Sequence, residues 1–267
     1  GAMASLKDAA MVAFATNTPL ADLGAMVSNV MEKANISIKE LVPTLDVLNV
    51  QAKEGAISLQ KYAPLMERLT AAAGRWNLKG LQGVRVLGAW VQLTKKGAGS
   101  AEQASTGIEN AIAEMLDPQK IKLMKKFGFT PIAGYKNGVA ELKDMEEAIK
   151  GIVIATKGDE IKLGQIFGQQ SIKAFTEIAR EYRNTGTFSK FDYFIKQGGD
   201  ATETMADFHA MSKQSIASFN RFNNALRRFA DTNLAGPIEA LTKALDVLNN
   251  HPILTNTALY SLLGMAG

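Results

Sequence analysis

The feature that most constrains this chain is a helical apolar rhythm that is broken, at short intervals, by helix-starting and helix-stopping residues. It is densest between Leu78 and Phe129. Val84, Leu87, Trp90 and Val91 recur at helical spacing, which predicts a helix over Leu81–Leu93 with one buried face. Gly97-Ala98-Gly99 stops it, because glycine reaches conformations that other residues avoid. Ser100, with Gln103 three places on, is a capping box that starts the next helix. Asp117-Pro118 starts another, an N-cap followed by proline at the first helical position. Lys120–Phe127 follows, and Gly128 closes it. Helices this short are marginal alone, so a chain punctuated in this way folds back and buries amphipathic faces against one another.

The same punctuation runs through the rest of the sequence. Thr18-Pro19 predicts a helix start, with Asp22 in the first turn and Leu23, Met26, Val27, Val30 and Met31 on one face. A 21-residue repeat follows: Ile36-Ser37-Ile38 through Pro43 to Ala52 aligns with Ile57-Ser58-Leu59 through Pro64 to Ala73. Each copy offers a serine cap, and each carries a proline inside the helix, which predicts a kink or restart. Asn137-Gly138 is a hairpin-type turn signal, so residues 129–140 are read as a small β-hairpin. Beyond it the pattern predicts a helix over Ala140–Thr156, with Leu142, Met145, Ile149 and Ile152 or Val153 inward. Further helices are predicted from Gly158-Asp159 to Phe167-Gly168 and over Gln169–Tyr182, and Asn184-Thr185-Gly186 is the next stop.

The last third changes character. A longer helix is predicted from about Ala201 to Thr232, with Phe219, Phe222, Leu226 and Phe229 at heptad-like spacing. Ile238, Leu241, Leu245 and Leu248 continue the spacing after Gly236-Pro237. This seam reads either as the inside of a helical hairpin or as a self-association surface. Few β-branched clusters and only 7 prolines complete the case for an all-α chain. The expected architecture is a multi-helix packed domain of short capped helices followed by longer C-terminal helices. Residues 1–17 are read as a tag scar (Gly1-Ala2-Met3) and lead-in, 18–186 as the main helical domain, and 187–267 as the long-helix region.

Chemistry is hard to find in these residues. There is no cysteine, which removes disulfides and thiolate metal sites. The two histidines are His209, in a helical run, and His251, before a proline; both read as surface or capping residues. Asp207 and His209 lie two apart and point to different helix faces, so they make no metal pair. Lys95-Lys96-Gly97-Ala98-Gly99-Ser100 has its lysines before its glycines, the reverse of a phosphate-binding loop. Asp144, Glu146, Glu147, Asp159 and Glu160 read as solvent-facing charge rather than facing catalytic carboxylates. No catalytic, cofactor-binding or metal-ligating residue is assigned, and the chain is read as not an enzyme. No apolar run reaches the roughly 20 residues that span a bilayer.

Net charge is +4, but eleven bases against four acids fall between Arg68 and Ala140. Such a field attracts nucleic acid or an acidic protein, although its plain reading is a solvated helical face. Aromatic residues that stack on bases are sparse there, so no specific nucleic-acid site is assigned.

The order of these features resembles the core region of the phage tail tape measure protein family. The residues carrying the resemblance are an aliphatic helix ending in Lys95-Lys96-Gly97-Ala98-Gly99-Ser100, an alanine-rich helix with Asn110, and a short basic helix ending in Lys126-Phe127-Gly128. Leu59–Leu65, Ile161–Gly168 and the segment around Gly236-Pro237 extend it over roughly residues 20–250. The resemblance implies a structural protein in the tail tube lumen or at the tail tip, made in the host cytoplasm, that sets tail length, serves tail assembly and leaves ahead of the DNA. Implied partners are other copies of itself through the C-terminal helices, and tail tube, tail-tip or initiator, and tail chaperone proteins. Contact of the full-length protein with the host membrane is implied as well. The alternative reading is a membrane-active, pore-forming helical protein, suggested by the basic patch and the apolar, glycine-bearing end Ser261–Gly267.

Overall fold

The computed structural model describes residues 2–76 and 78–214. Helices α1 (Ala2–Thr16), α2 (Leu20–Lys33), α3 (Ile38–Glu54), α4 (Leu59–Gly74), α5 (Gly80–Gly97), α6 (Ala101–Met115) and α7 (Pro118–Lys126) come first. A hairpin of β1 (Ile132–Lys136) and β2 (Val139–Leu142) follows. Then come α8 (Met145–Thr156), α9 (Glu160–Ile166), α10 (Gln169–Ile172), α11 (Thr176–Thr185), α12 (Ser189–Lys196) and α13 (Thr202–Gln214). The fold is all-α with one small antiparallel ribbon among the described residues. The C-terminal seam from Phe219 to Leu248, and His251, lie outside the described residues.

The described residues group into two compact units that interleave along the chain. The first unit takes its residues from Gly1–Val50, Ser58–Glu67 and Gly198–Gly267. Its core is aliphatic: Leu23, Met26, Val27, Leu41, Leu45, Leu48 and Met66 are fully buried. Helix α1 packs against α13, where Phe14 meets Phe208 edge-on at 6.1 Å and Ala10 joins them. Residues 1–17, read from sequence as a lead-in, thus contribute a helix with Ala9, Ala10, Val12 and Ala13 buried. Two side chains of α3 hold α13 in place. The buried Asp46 carboxylate accepts from the N–H groups of Gly199 (2.6 Å), Ala201 (3.1 Å) and Thr204 (3.1 Å). Asn49, one turn on, donates to Thr204 Oγ1 and Asp207 Oδ2. The loop comes this close because Gly198 has φ +65 and no Cβ; one there would lie 2.8 Å from the Val47 Cα.

The second unit is Gln51–Ile57 with Arg68–Gln197. Helix α5 is its centre and packs against α6, α8, α11 and α12. Val84, Leu87, Trp90 and Val91 are buried, as the apolar spacing predicts. Trp90 sits against Phe175 at 5.8 Å, and its indole N–H donates to the Ala174 carbonyl at 2.7 Å. Gln92, buried in the same helix, accepts from Ala56 and Ile57 N–H and donates to the Ile57 carbonyl, which pins that turn. The hairpin pairs Tyr135 with Ala140 and Lys136 with Val139. Asn137 and Gly138 both have positive φ (50 and 79), the geometry that a two-residue turn between twisted strands requires.

Several local expectations are corrected. Helices α3 and α4 run through Pro43 and Pro64 without a restart. Each proline forgoes only the bond to a carbonyl in the helix's first turn, at Lys39 or Gln60, and the buried faces hold the rest. Thr18 does not cap α2. Its N–H bonds to the Ala13 carbonyl and its hydroxyl meets Thr16 at 2.8 Å, so it closes α1 around Asn17, which has φ 52. Ala140–Leu142 belong to β2, and α8 starts only at Met145, because strand pairing after the tight turn overrides the helical pattern. The helix expected over Gln169–Tyr182 breaks at Lys173–Phe175. That break turns the Ala174 carbonyl toward Trp90 N–H and the Thr94 hydroxyl (3.3 Å), which satisfies a buried donor.

Candidate interaction surface

The carboxylates and hydroxyls that sequence marks as helix starts mostly serve the backbone. Ser100 Oγ accepts from Gln103 N–H at 3.1 Å, and Gln103 reaches back to Gly99 N–H. Asp117 Oδ1 accepts from Gln119 and Lys120 N–H, and Asp159 Oδ1 from Ile161 and Lys162 N–H. Asp144 caps α8 through Glu147 N–H at 2.9 Å. Glu147 pairs with Lys143 on the surface. At the start of α3, Glu40 accepts from the Ser37 hydroxyl (2.7 Å) and Ser37 N–H (3.0 Å), bonds that hold its carboxyl below the usual range.

Two shallow clefts in the second unit share Gln82 and Glu146. One, about 290 Å³, is lined by Trp76, Leu78, Val86, Lys143 and Met145 among others. The other, about 530 Å³, is lined by Arg85, Lys150, Asp192, Ile195 and Lys196 as well as the shared pair. Lys150 lies 2.5 Å from Glu146 and 2.5 Å from Asp192. Burial pulls its pKa down, but the bonds to Asp192 and Glu146 and their negative charges outweigh it and raise the ammonium above its ordinary value. Arg85 is engaged too, donating to the carbonyls of Ile195 (3.0 Å) and Gln197 (2.9 Å) at the end of α12. Lys150 with its two carboxylates therefore ties α8 to α12, and Arg85 ties α5 to the end of α12.

The residues singled out for chemistry do not converge. His209 lies exposed on α13 beside Phe208. Lys96 extends over the Phe194 ring at 5.2 Å from its centre. Among the described residues no three His, Asp or Glu side chains group as metal ligands. Sequence reasoning missed the polar anchors Asp46, Arg85, Gln92 and Gln51, which donates to the Arg85 and Phe194 carbonyls, since each sits in a helix whose pattern gives no sign of a distant backbone partner. What remains open on the surface is part of the basic stretch. Arg68 pairs with Glu109 at 2.9 Å and Lys120 lies 3.9 Å from Glu114, but Lys122, Lys125, Lys126 and Lys136 are exposed.

Over 154 residues the chain is 29% identical to a probable tape measure protein of Burkholderia phage BcepMu. That alignment covers 55% of this chain and 18% of the phage protein, so the chain matches under a fifth of that relative's length. No solved structure matches the chain. A match over residues 1–179, from α1 into α11, shows that the chain belongs to the phage-related minor tail protein family.

Proposed function

We propose that this chain is a non-enzymatic, packed helical segment of a tail tape measure polypeptide, acting in tail assembly, tail length determination and DNA delivery. The likeness to the probable tape measure protein carries the reading. Residues 18–186 form its core-like part in this proposal, and 187–267 a C-terminal region for self-association. It works in the tail tube lumen or at the tip, with tube, tip or initiator, and chaperone proteins as partners. The structure supports a mechanical role, because its buried polar side chains are used to hold helices and turns together. Deleting α3 and α4 (residues 38–74) in frame from the parent gene tests it. Loss of intact tails, or shortened tails in electron micrographs, is the expected result. Infectious tails of normal number and length would overturn it. For the pore-forming alternative, the apolar end Ser261–Gly267 lies outside the described residues, and among the described residues no helix is long and apolar enough to cross a membrane. Leakage of anionic vesicles on adding the chain is the result that would favour it.

A further inference from the structure

Between Pro118 and Ala140 the chain carries five lysines and no acid. Lys122, Lys125 and Lys126 fall at i, i+3 and i+4 of α7, opposite the buried Met124, and all three are exposed. The negative helix end accounts for cations at Lys125 and Lys126 in the last turn. It does not account for Lys122, nor for Lys136 at the tip of the hairpin.

The hairpin supplies a second, independent observation. Tyr135 and Val139 are each 69% exposed, on opposite faces of a ribbon that has two strands among the described residues. Such a ribbon is marginal by itself and offers unpaired edges. Lys136 and Val139 are partners flanking the two-residue turn, the position that in such hairpins faces inward for ladder bonding. Tyr135 N–H and C=O consequently face the outer edge of β1. Only Phe127–Pro131 separate α7 from β1, so Lys126 and Ile132 lie within about 20 Å of each other, at about 3.5 Å per residue.

We propose that the lysine face of α7 and the outer edge of β1 form one docking surface for an acidic polypeptide segment, which adds to the hairpin as a third strand. Charge selects the segment, main-chain bonds to the edge align it, and Tyr135 or Val139 gains cover from its side chains. A nucleic-acid backbone would answer the lysines but leave those apolar side chains exposed, so the acidic polypeptide fits more of the surface. The proposal does not depend on the tail role.

The test titrates the whole chain against fluorescent poly-L-glutamate at low ionic strength, followed by anisotropy, with a duplex DNA of arbitrary sequence in parallel. Saturable binding of polyglutamate that weakens as salt rises is expected. The triple variant Lys122→Gln, Lys125→Gln, Lys126→Gln should weaken it by about tenfold, and Tyr135→Asp by a similar factor, with unchanged circular dichroism. A control triple elsewhere, Lys39→Gln, Lys61→Gln, Lys190→Gln, should leave it within about twofold. Equal loss in the control, DNA bound as tightly as polyglutamate, or no binding of either polymer would overturn the proposal.

Discussion

Four successive helices of the second unit, α6 to α9, each begin on a residue adjacent in sequence: Ser100, Asp117, Asp144 and Asp159. Helix α13 of the first unit adds to a local cap, Asp200 on the Thr202 N–H, a remote one, Asp46, which lies 158 residues before Thr204. Both arrangements satisfy the same need, since the first N–H groups of any helix have no partner inside it. The local cap works as soon as its own helix forms. The remote cap works only after α3 and α13 have docked, so it ties the start of α13 to tertiary structure. Asp46 also pays the full penalty of a buried carboxylate and is repaid by three N–H donors and the positive end of the helix. A remote cap therefore couples two elements, whereas a local one only defines where a helix starts.

The largest test of this difference is Asp46→Ala. Two part-buried loop donors and the buried N–H of Thr204 lose their acceptor at once, so stability should fall by about 3 kcal/mol. Hydrogen exchange should rise through α13 and the Gly198–Ala201 loop while the α6–α9 helices stay protected. Protection of α13 equal to the parent's would break the comparison. Trp90→Phe removes the corresponding long-range bond in the second unit. A loss of about 1.5 kcal/mol in denaturant unfolding is expected, smaller because the Thr94 hydroxyl still reaches the Ala174 carbonyl. Asp117→Ala should lower stability by about 1 kcal/mol and raise exchange only in the first turn of α7.

Tyr62 sharpens the same point from the other side. Its hydroxyl is buried without a hydrogen-bond partner among the described residues, and burial pushes its pKa far up. Tyr62→Phe should therefore leave thermal stability unchanged or raise it by up to about 1 kcal/mol. The smallest effect belongs to the exposed Glu40. Its folded pKa is depressed, so its contribution is present above the unfolded value and disappears as pH falls through the folded one. Amide exchange at the start of α3 should quicken as pH drops below about 4.3, after correction for intrinsic rates, and Glu40→Gln should abolish that step.

Much of the fold is legible in the sequence where its cause is local. The apolar spacing around Trp90, the caps at Ser100, Asp117 and Asp159, and the Asn137-Gly138 turn each act within a few residues. The errors cluster where a distant partner decides. The break in Gln169–Tyr182 answers a tryptophan on another helix, and β2 replaces the start of the expected α8 because β1 lies beside it. Thr18, a plausible cap on sequence grounds, is used by the helix before it. The lysine face of α7 was visible as charge, but the pattern alone did not reveal which lysines would find acids. Arg68 and Lys120 have acidic neighbours, whereas Lys122, Lys125 and Lys126 stand exposed.

By itself the sequence determined that this protein is a series of short amphipathic helices with a single ribbon, because hydrophobic period, capping chemistry and turn chemistry are short-range effects. Tertiary structure alone decided which buried polar groups bear the connections. Asp46, Gln92 and the Ala174 carbonyl acquire their roles from partners that the linear chain holds far apart, and removing such a partner leaves a buried group unpaired at a cost of about 1–3 kcal/mol.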